Sequence, residues 1–136
     1  MPVAFDIQLN DYRLTPADLN RIVWEPNGAV MKRLRRVGRT VVAAAQAQVG
    51  KDTGELARSI HYQIRRWGTL PEVWIGTRNS IAWLHHEGTR PHAISARNGA
   101  FLRFSSRGRV VYDRTVMHPG TKPNRYLTDN IYLARL

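Results

Sequence analysis

The sequence predicts an α+β fold in which helices alternate with antiparallel hairpins, and three patterns carry that expectation. Residues 29–49 form the longest run of helical periodicity in the chain. Ile60, Tyr62 and Ile64 alternate with Ser59, His61, Gln63 and Arg65, the two-residue period of a half-buried strand. Ala100-Phe101-Leu102-Arg103-Phe104 and Arg109-Val110-Val111-Tyr112 flank Ser105-Ser106-Arg107-Gly108, a spacing that suits a hairpin with a four-residue loop.

Along the chain, Thr15-Pro16-Ala17-Asp18 offers an N-cap, a proline at the first helical position and an acid in the first turn. A short helix should therefore run to Trp24, where Pro26-Asn27-Gly28 interrupts it. The long helix follows and stops at Gly50. At about 100° per residue, Val30, Leu34, Val37, Val41, Ala44, Ala45 and Gln48 share one face, and Lys32, Arg35, Arg36 and Arg39 gather on the opposite one. Ala43-Ala44-Ala45 leaves a smooth surface for close approach, whereas Gly38, about 1 kcal/mol worse than Ala inside a helix, calls for a packing reason.

Asp52-Thr53-Gly54-Glu55-Leu56 reads as a turn opening into one helical turn, after which the first strand begins. Gly68-Thr69-Leu70-Pro71 connects it to a second strand, Glu72-Val73-Trp74-Ile75-Gly76, antiparallel to the first. Asn79 or Ser80 caps a short helix through Ile81, Ala82, Trp83 and Leu84 that ends at Gly88. Residues 89–98 read as an irregular loop with too few apolar side chains to hold it alone, so it is expected to order against a partner. The second hairpin follows, and Leu127, Ile131 and Ala134 fall at the spacing of a closing amphipathic helix.

With 136 residues the chain fits one domain. An N-terminal segment and short helix occupy 1–28, and the core spans 29–135. Its 21 Lys and Arg against 10 Asp and Glu leave a net charge of +11, a field that favours nucleic acid, an anionic surface or an acidic protein. The absence of cysteine excludes disulfides and thiolate metal sites. The N-terminus lacks a basic-then-apolar leader and no apolar run reaches the ~18 residues of a membrane span, so the chain reads as non-exported and soluble.

Candidate chemistry is sparse. The stripe Lys32, Arg35, Arg36 and Arg39 either contacts phosphates, through counterion release, or is simply a solvated face. No base-reading module accompanies it, so any nucleic-acid binding would be independent of sequence. His85, His86, Glu87, His92 and His118 come nearest to a metal set, but neighbouring histidines diverge on a helix and no His-Glu-x-x-His pattern is present. Ser59, Ser80, Ser95, Ser105 and Ser106 lie in no nucleophile-elbow context. Glu87 is expected to serve as a cap or an arginine ion pair, and Trp67, Trp74 and Trp83 as core residues or, alternatively, anchors of a subunit interface. The expectation is a protein without catalytic activity or cofactor.

Five segments in order carry a resemblance: Gly54-Glu55-Leu56-Ala57-Arg58-Ser59-Ile60, Ile75-Gly76-Thr77, Ala82 through Glu87-Gly88-Thr89, Leu102-Arg103-Phe104, and Val116-Met117-His118-Pro119-Gly120-Thr121-Lys122-Pro123-Asn124-Arg125-Tyr126-Leu127. Together, behind a long basic-faced helix, they resemble the tail-completion or head-to-tail connector (neck) proteins of long-tailed bacteriophages. The resemblance covers roughly residues 29–135.

It implies a small virion protein, assembled in the host bacterial cytoplasm, whose long helix packs on a curved antiparallel sheet. Copies would form an oligomeric ring, a hexamer by the family's pattern, between head-side adaptor or portal proteins and the tail tube. Genome DNA would be touched non-specifically, with no membrane partner. The resemblance leaves a head-side connector and a tail terminator both open. Glu87, Gly88 and Thr89, and likewise His118, Pro119 and Gly120, would be structural corners flanking a loop that reaches a neighbour. These corners, the second hairpin, and Arg90 and Arg97 are the expected subunit contacts, while Lys32, Arg35, Arg36 and Arg39 would face the DNA channel or an acidic neighbour. The rival reading, resting on charge, is a small non-specific nucleic-acid-binding protein.

Overall fold

The computed structural model describes residues 14–50 and 52–135; the opening segment read above for export signals lies outside them. Its first helix, α1 (Pro16–Trp24), starts as the sequence predicts. The Thr15 hydroxyl accepts from the Asp18 amide at 3.2 Å, and the Asp18 carboxylate accepts from the Thr15 amide at 3.0 Å. These reciprocal bonds satisfy amides that a helix start leaves orphaned. Bonding to Thr15, with help from the Arg21 charge, holds the Asp18 carboxyl below its ordinary pKa.

Helix α2 (Ala29–Gln48) buries Val37, Gly38, Val41 and Ala45, the centre of the apolar face expected from periodicity. Gly38 has its packing reason in Tyr62: a Cβ built there would lie 2.5 Å from Cγ and Cδ2 of that ring. In an exposed helix Gly→Ala stabilises by about 1 kcal/mol. Here the sign reverses, because the root of an aromatic ring cannot swing aside as a flexible tip can. Gly38→Ala is expected to lower stability by about 1 to 3 kcal/mol, and a raised denaturant midpoint would show that Tyr62 does not seat on this helix.

Helix α3 (Glu55–Ser59) supplies buried Leu56 and Ala57. Strands β1 (His61–Trp67) and β2 (Leu70–Gly76) form an antiparallel hairpin in the register Trp67↔Leu70 to His61↔Gly76, and α2 packs across both. The connection is tighter than the sequence reading, since only Gly68 and Thr69 separate the strands and Leu70 and Pro71 belong to β2. Gly68, at φ +58°, meets the need of a two-residue hairpin loop for a left-handed first position. Helix α4 (Ala82–Glu87) follows, with the Asn79 side chain accepting from the Ile81 amide at 3.0 Å and Gly88 ending it.

The largest departure from the sequence reading is the loop expected over 89–98. His92–Ser95 is a strand, β3, paired antiparallel with β6 (Thr115–His118) in the register His92↔His118 to Ser95↔Thr115. Its ordering partner lies within the same chain. Between them β4 (Leu102–Ser106) and β5 (Arg109–Asp113) pair from Leu102↔Asp113 to Ser106↔Arg109. The loop joining them has two residues rather than the expected four. Arg107 and Gly108, at φ +49° and +77°, have the two successive left-handed residues of a type I′ turn.

Thr89↔Thr121, β3–β6 and the Ala96 N–H to Arg114 carbonyl bond at 2.8 Å share one register, which β4–β5 resume after residues 97–101 bulge out. Residues 89–121 therefore make one long hairpin arm, about 40 Å of ribbon at 3.3 Å per residue. Among the described residues the strands form three two-stranded ladders, and the arm's strands pack extensively only on one another. The architecture is α+β, a long amphipathic helix against the first antiparallel hairpin, with a second, longer hairpin arm beside them.

The chain ends in a 3-10 helix, Thr128–Arg135, where an amphipathic helix of ordinary period was expected. Its threefold repeat turns Leu127, Asn130 and Leu133 inward, and Ile131, which a 3.6-residue period would have buried, is 65% exposed. The core it covers is small: Ala45, Val49, Leu56, Ala57, Ile60 and Tyr126, with Val42, Ala82 and Leu127 packed around them. No helix among the described residues is long and apolar enough to cross a membrane.

Candidate assembly and polyanion-binding surfaces

The two Gly-Thr corners singled out in the sequence meet each other. Thr89 and Thr121 exchange backbone bonds of 3.0 and 3.1 Å, and their hydroxyls lie 3.1 Å apart. Gly88, at φ +73° and ψ 179°, sits in a region essentially closed to other residues, and a Cβ there would strike the Thr121 carbonyl. Gly120, at φ +83°, stands in the same relation to the Thr89 carbonyl. Each glycine thus lets the opposite strand's carbonyl approach, and the pair forms a clasp at the base of the arm.

Around the clasp, Glu87 bonds the His86 ring at 2.7 Å and lies 3.8 Å from Arg125, the arginine pairing expected of it. The Gly120 amide donates to His118 Nδ1 at 3.0 Å, and the His118 and His92 rings stand 5.2 Å apart across the β3–β6 ladder. His85 instead accepts from the Gly50 amide at 3.2 Å. The histidines of the candidate metal set are thereby divided, and the described residues hold no grouping of three metal-binding side chains. Pro119 lines a mostly apolar cleft of about 270 Å³ on the arm together with Ile94, Leu102, Phe104, Val116 and Met117, with Arg103 and His118 at its edge.

On α2, Lys32, Arg36 and Arg39 are exposed. Arg35 is half-buried and donates to the Pro26 carbonyl at 2.6 Å, tying the α1–α2 connection. The described ion pairs all involve Glu87, so among the described residues the stripe has no carboxylate partner. Arg90 and Arg97 are exposed at the root of the arm and in its bulge.

Trp67, Trp74 and Trp83 are not core residues: they are 68%, 48% and 70% exposed. Trp74 carries Arg65 over its ring at 4.8 Å, but Trp67 and Trp83 offer bare indole to solvent. The residue that does fill the core is Tyr126, fully buried against the rings of His85 and His86. Its signal in the sequence was only its place after Pro123-Asn124, since a lone tyrosine in a turn-rich segment has no periodicity to betray it.

Surface area adds a global measure. The chain exposes 11460 Å² at 15.6 kDa, against about 7,200 Å² for a compact monomer of that mass. Crediting the residues outside the description with the full surface of an extended chain removes about 2,400 Å², and an excess of about 1,900 Å² remains. Much of it is apolar: Phe101, Val110, Tyr112 and Met117 on the arm are each more than half exposed. Compared with family models, curated proteins and solved structures, the chain matches none.

Proposed function

We propose that this protein is a structural subunit of a bacteriophage neck, which forms an oligomeric ring joining the DNA-filled head to the tail. The observation that carries the subunit reading is the excess surface together with the exposed apolar arm. A standard interface covers about 800 Å² on each partner, and a ring subunit makes two, one patch meeting a different patch on the next copy. An excess of about 1,900 Å² accommodates both. The small core argues the same way, because apolar side chains that find no place inside one copy have a place between copies. The neck assignment rests on the resemblance of the segments from Gly54 to Leu127. The apolar cleft by Met117 and Pro119 is the contact we assign to the neighbouring copy.

Light scattering is expected to give a mass that is a closed multiple of 15.6 kDa. Met117→Glu, at a side chain 67% exposed, is expected to return the ring to single copies without loss of helical signal. Particles assembled without the protein should appear in micrographs as separate filled heads and finished tails. Intact infectious virions in that experiment would remove the neck reading, and a solitary wild-type chain at high concentration would remove the ring.

A further inference from the structure

We infer that the arm is a nucleic-acid-gripping ribbon, and that its partner is the phosphate backbone of duplex DNA. Residues 89–121 hold six arginines, Arg90, Arg97, Arg103, Arg107, Arg109 and Arg114, against one acid, Asp113, and no lysine. Nearly half the chain's net charge of +11 is therefore mounted on a projection from the body.

The alternation of the ribbon sorts these side chains. Leu102, Phe104 and Val111 are half-buried on the face that borders the apolar cleft. The opposite face carries Arg103 beside Tyr112 and Ser105 beside Val110, and the same alternation places Phe101 and Arg114 with them. All six are exposed. Arg114 lies over the Phe101 ring at 5.4 Å, an arrangement that holds a guanidinium without a carboxylate and leaves its outer donors for a ligand. This face is thus cationic through Arg103 and Arg114, with aromatic and hydroxyl side chains between, and Arg103 also reaches the rim of the cleft.

Three features favour DNA over other anions. First, a two-stranded ribbon fits a DNA groove, where its cations meet phosphates on either side. Second, Arg114 and Arg103 fall two residue steps apart on one face of the ribbon, about 7 Å, with Arg107 beyond them at the tip, whereas duplex DNA presents a charge about every 1.7 Å of axis. Every step finds a phosphate without any required register. Third, Arg107 occupies the tip at φ +49°, in a turn position that favours Asn or Gly. That sets an exposed cation at the outermost point of the ribbon, where a ligand would meet it first. The helix stripe is the other cationic surface, but one of its members, Arg35, is engaged by the Pro26 carbonyl.

The inference does not rest on the neck reading, and mass measured in the same samples keeps the two apart. Anisotropy of a labelled mixed-sequence duplex is followed while salt rises from about 50 to about 200 mM. Arg103→Gln, Arg107→Asn and Arg114→Gln combined should lower the slope of log K against log salt by about 3, nearly one per lost phosphate contact. Lys32→Gln, Arg36→Gln and Arg39→Gln combined should change it less. Tryptic cleavage after Arg103 and Arg107 of the wild-type protein should slow when the duplex is added, a readout independent of how any variant folds. A salt-independent affinity, a larger effect from the helix variant, or unslowed cleavage overturns the inference. So does displacement of the duplex by polyglutamate at equal charge, which would mark the arm as a site for an acidic protein.

Discussion

Gly88→Ala should destabilise the protein by about 3 kcal/mol, a large share of a total stability of about 5 to 15. Two costs combine. At φ +73° and ψ 179° the backbone leaves no room for a side chain, and the added Cβ would meet the Thr121 carbonyl and come within 2.8 Å of the Pro123 nitrogen. Both obstacles are main chain, so neither rotates away. Gly120→Ala should behave alike, against the Thr89 carbonyl. Gly99→Ala is the control: its φ is +70°, but nothing lies within 4 Å of a built Cβ, so only the torsional cost of about 1 kcal/mol remains. Gly88→Ala with Gly120→Ala should cost less than the two singles summed, because a clasp opened by one methyl no longer resists the other. Denaturant midpoints at fixed protein concentration measure all four. Equal losses at Gly88 and Gly99 would mean that the corners do not touch.

Tyr126→Ala should cost about 3 to 5 kcal/mol, or about 10 to 20 °C in Tm. The ring is fully buried, edge-on to His86 at 5.4 Å and tilted to His85 at 6.2 Å. It packs among α2, α3 and α4, so its removal leaves a cavity in the small core. Tyr126→Phe should cost about 1 kcal/mol at most, since the hydroxyl bond to the Ala82 carbonyl is long, at 3.4 Å.

The same residue gives a pH test. Burial raises the Tyr126 phenol above its ordinary value of 10.0, so the folded protein binds that proton more tightly than the unfolded chain does. Its contribution is complete below pH 10 and is lost as pH rises through the folded value. Tyr126→Phe should flatten that alkaline decline; an unchanged decline would place the phenol in water.

What the sequence revealed depended on how local each signal was. The capping box at Thr15 and Asp18 and the apolar face of α2 are written within a turn or two of themselves, and both stand as expected. Strands β3 and β6 escaped notice because His92-Ala93-Ile94-Ser95 is exposed at every position, so no alternation marks it, and its partner lies beyond another hairpin. The closing segment had a plausible helical spacing, but Asn130, bonding the Gln48 side chain at 2.7 Å and the Tyr126 carbonyl at 2.9 Å, draws it into the tighter 3-10 winding. Trp67 and Trp83 look like core residues by composition alone, and only the fold shows that no other element covers them. The clasp was half legible: two Gly-Thr corners are evident in the sequence, but not that they face each other.

Because the excursion from Thr89 to Thr121 leaves and rejoins the body at a single rung, its length is uncoupled from everything beneath it. Insertions or deletions made symmetrically in its two legs shift the reach of the tip while the helices and first hairpin stay where they are. A lineage carrying this chain has, in effect, an adjustable finger on a fixed palm, free to track a changing neighbour without renegotiating its own interior.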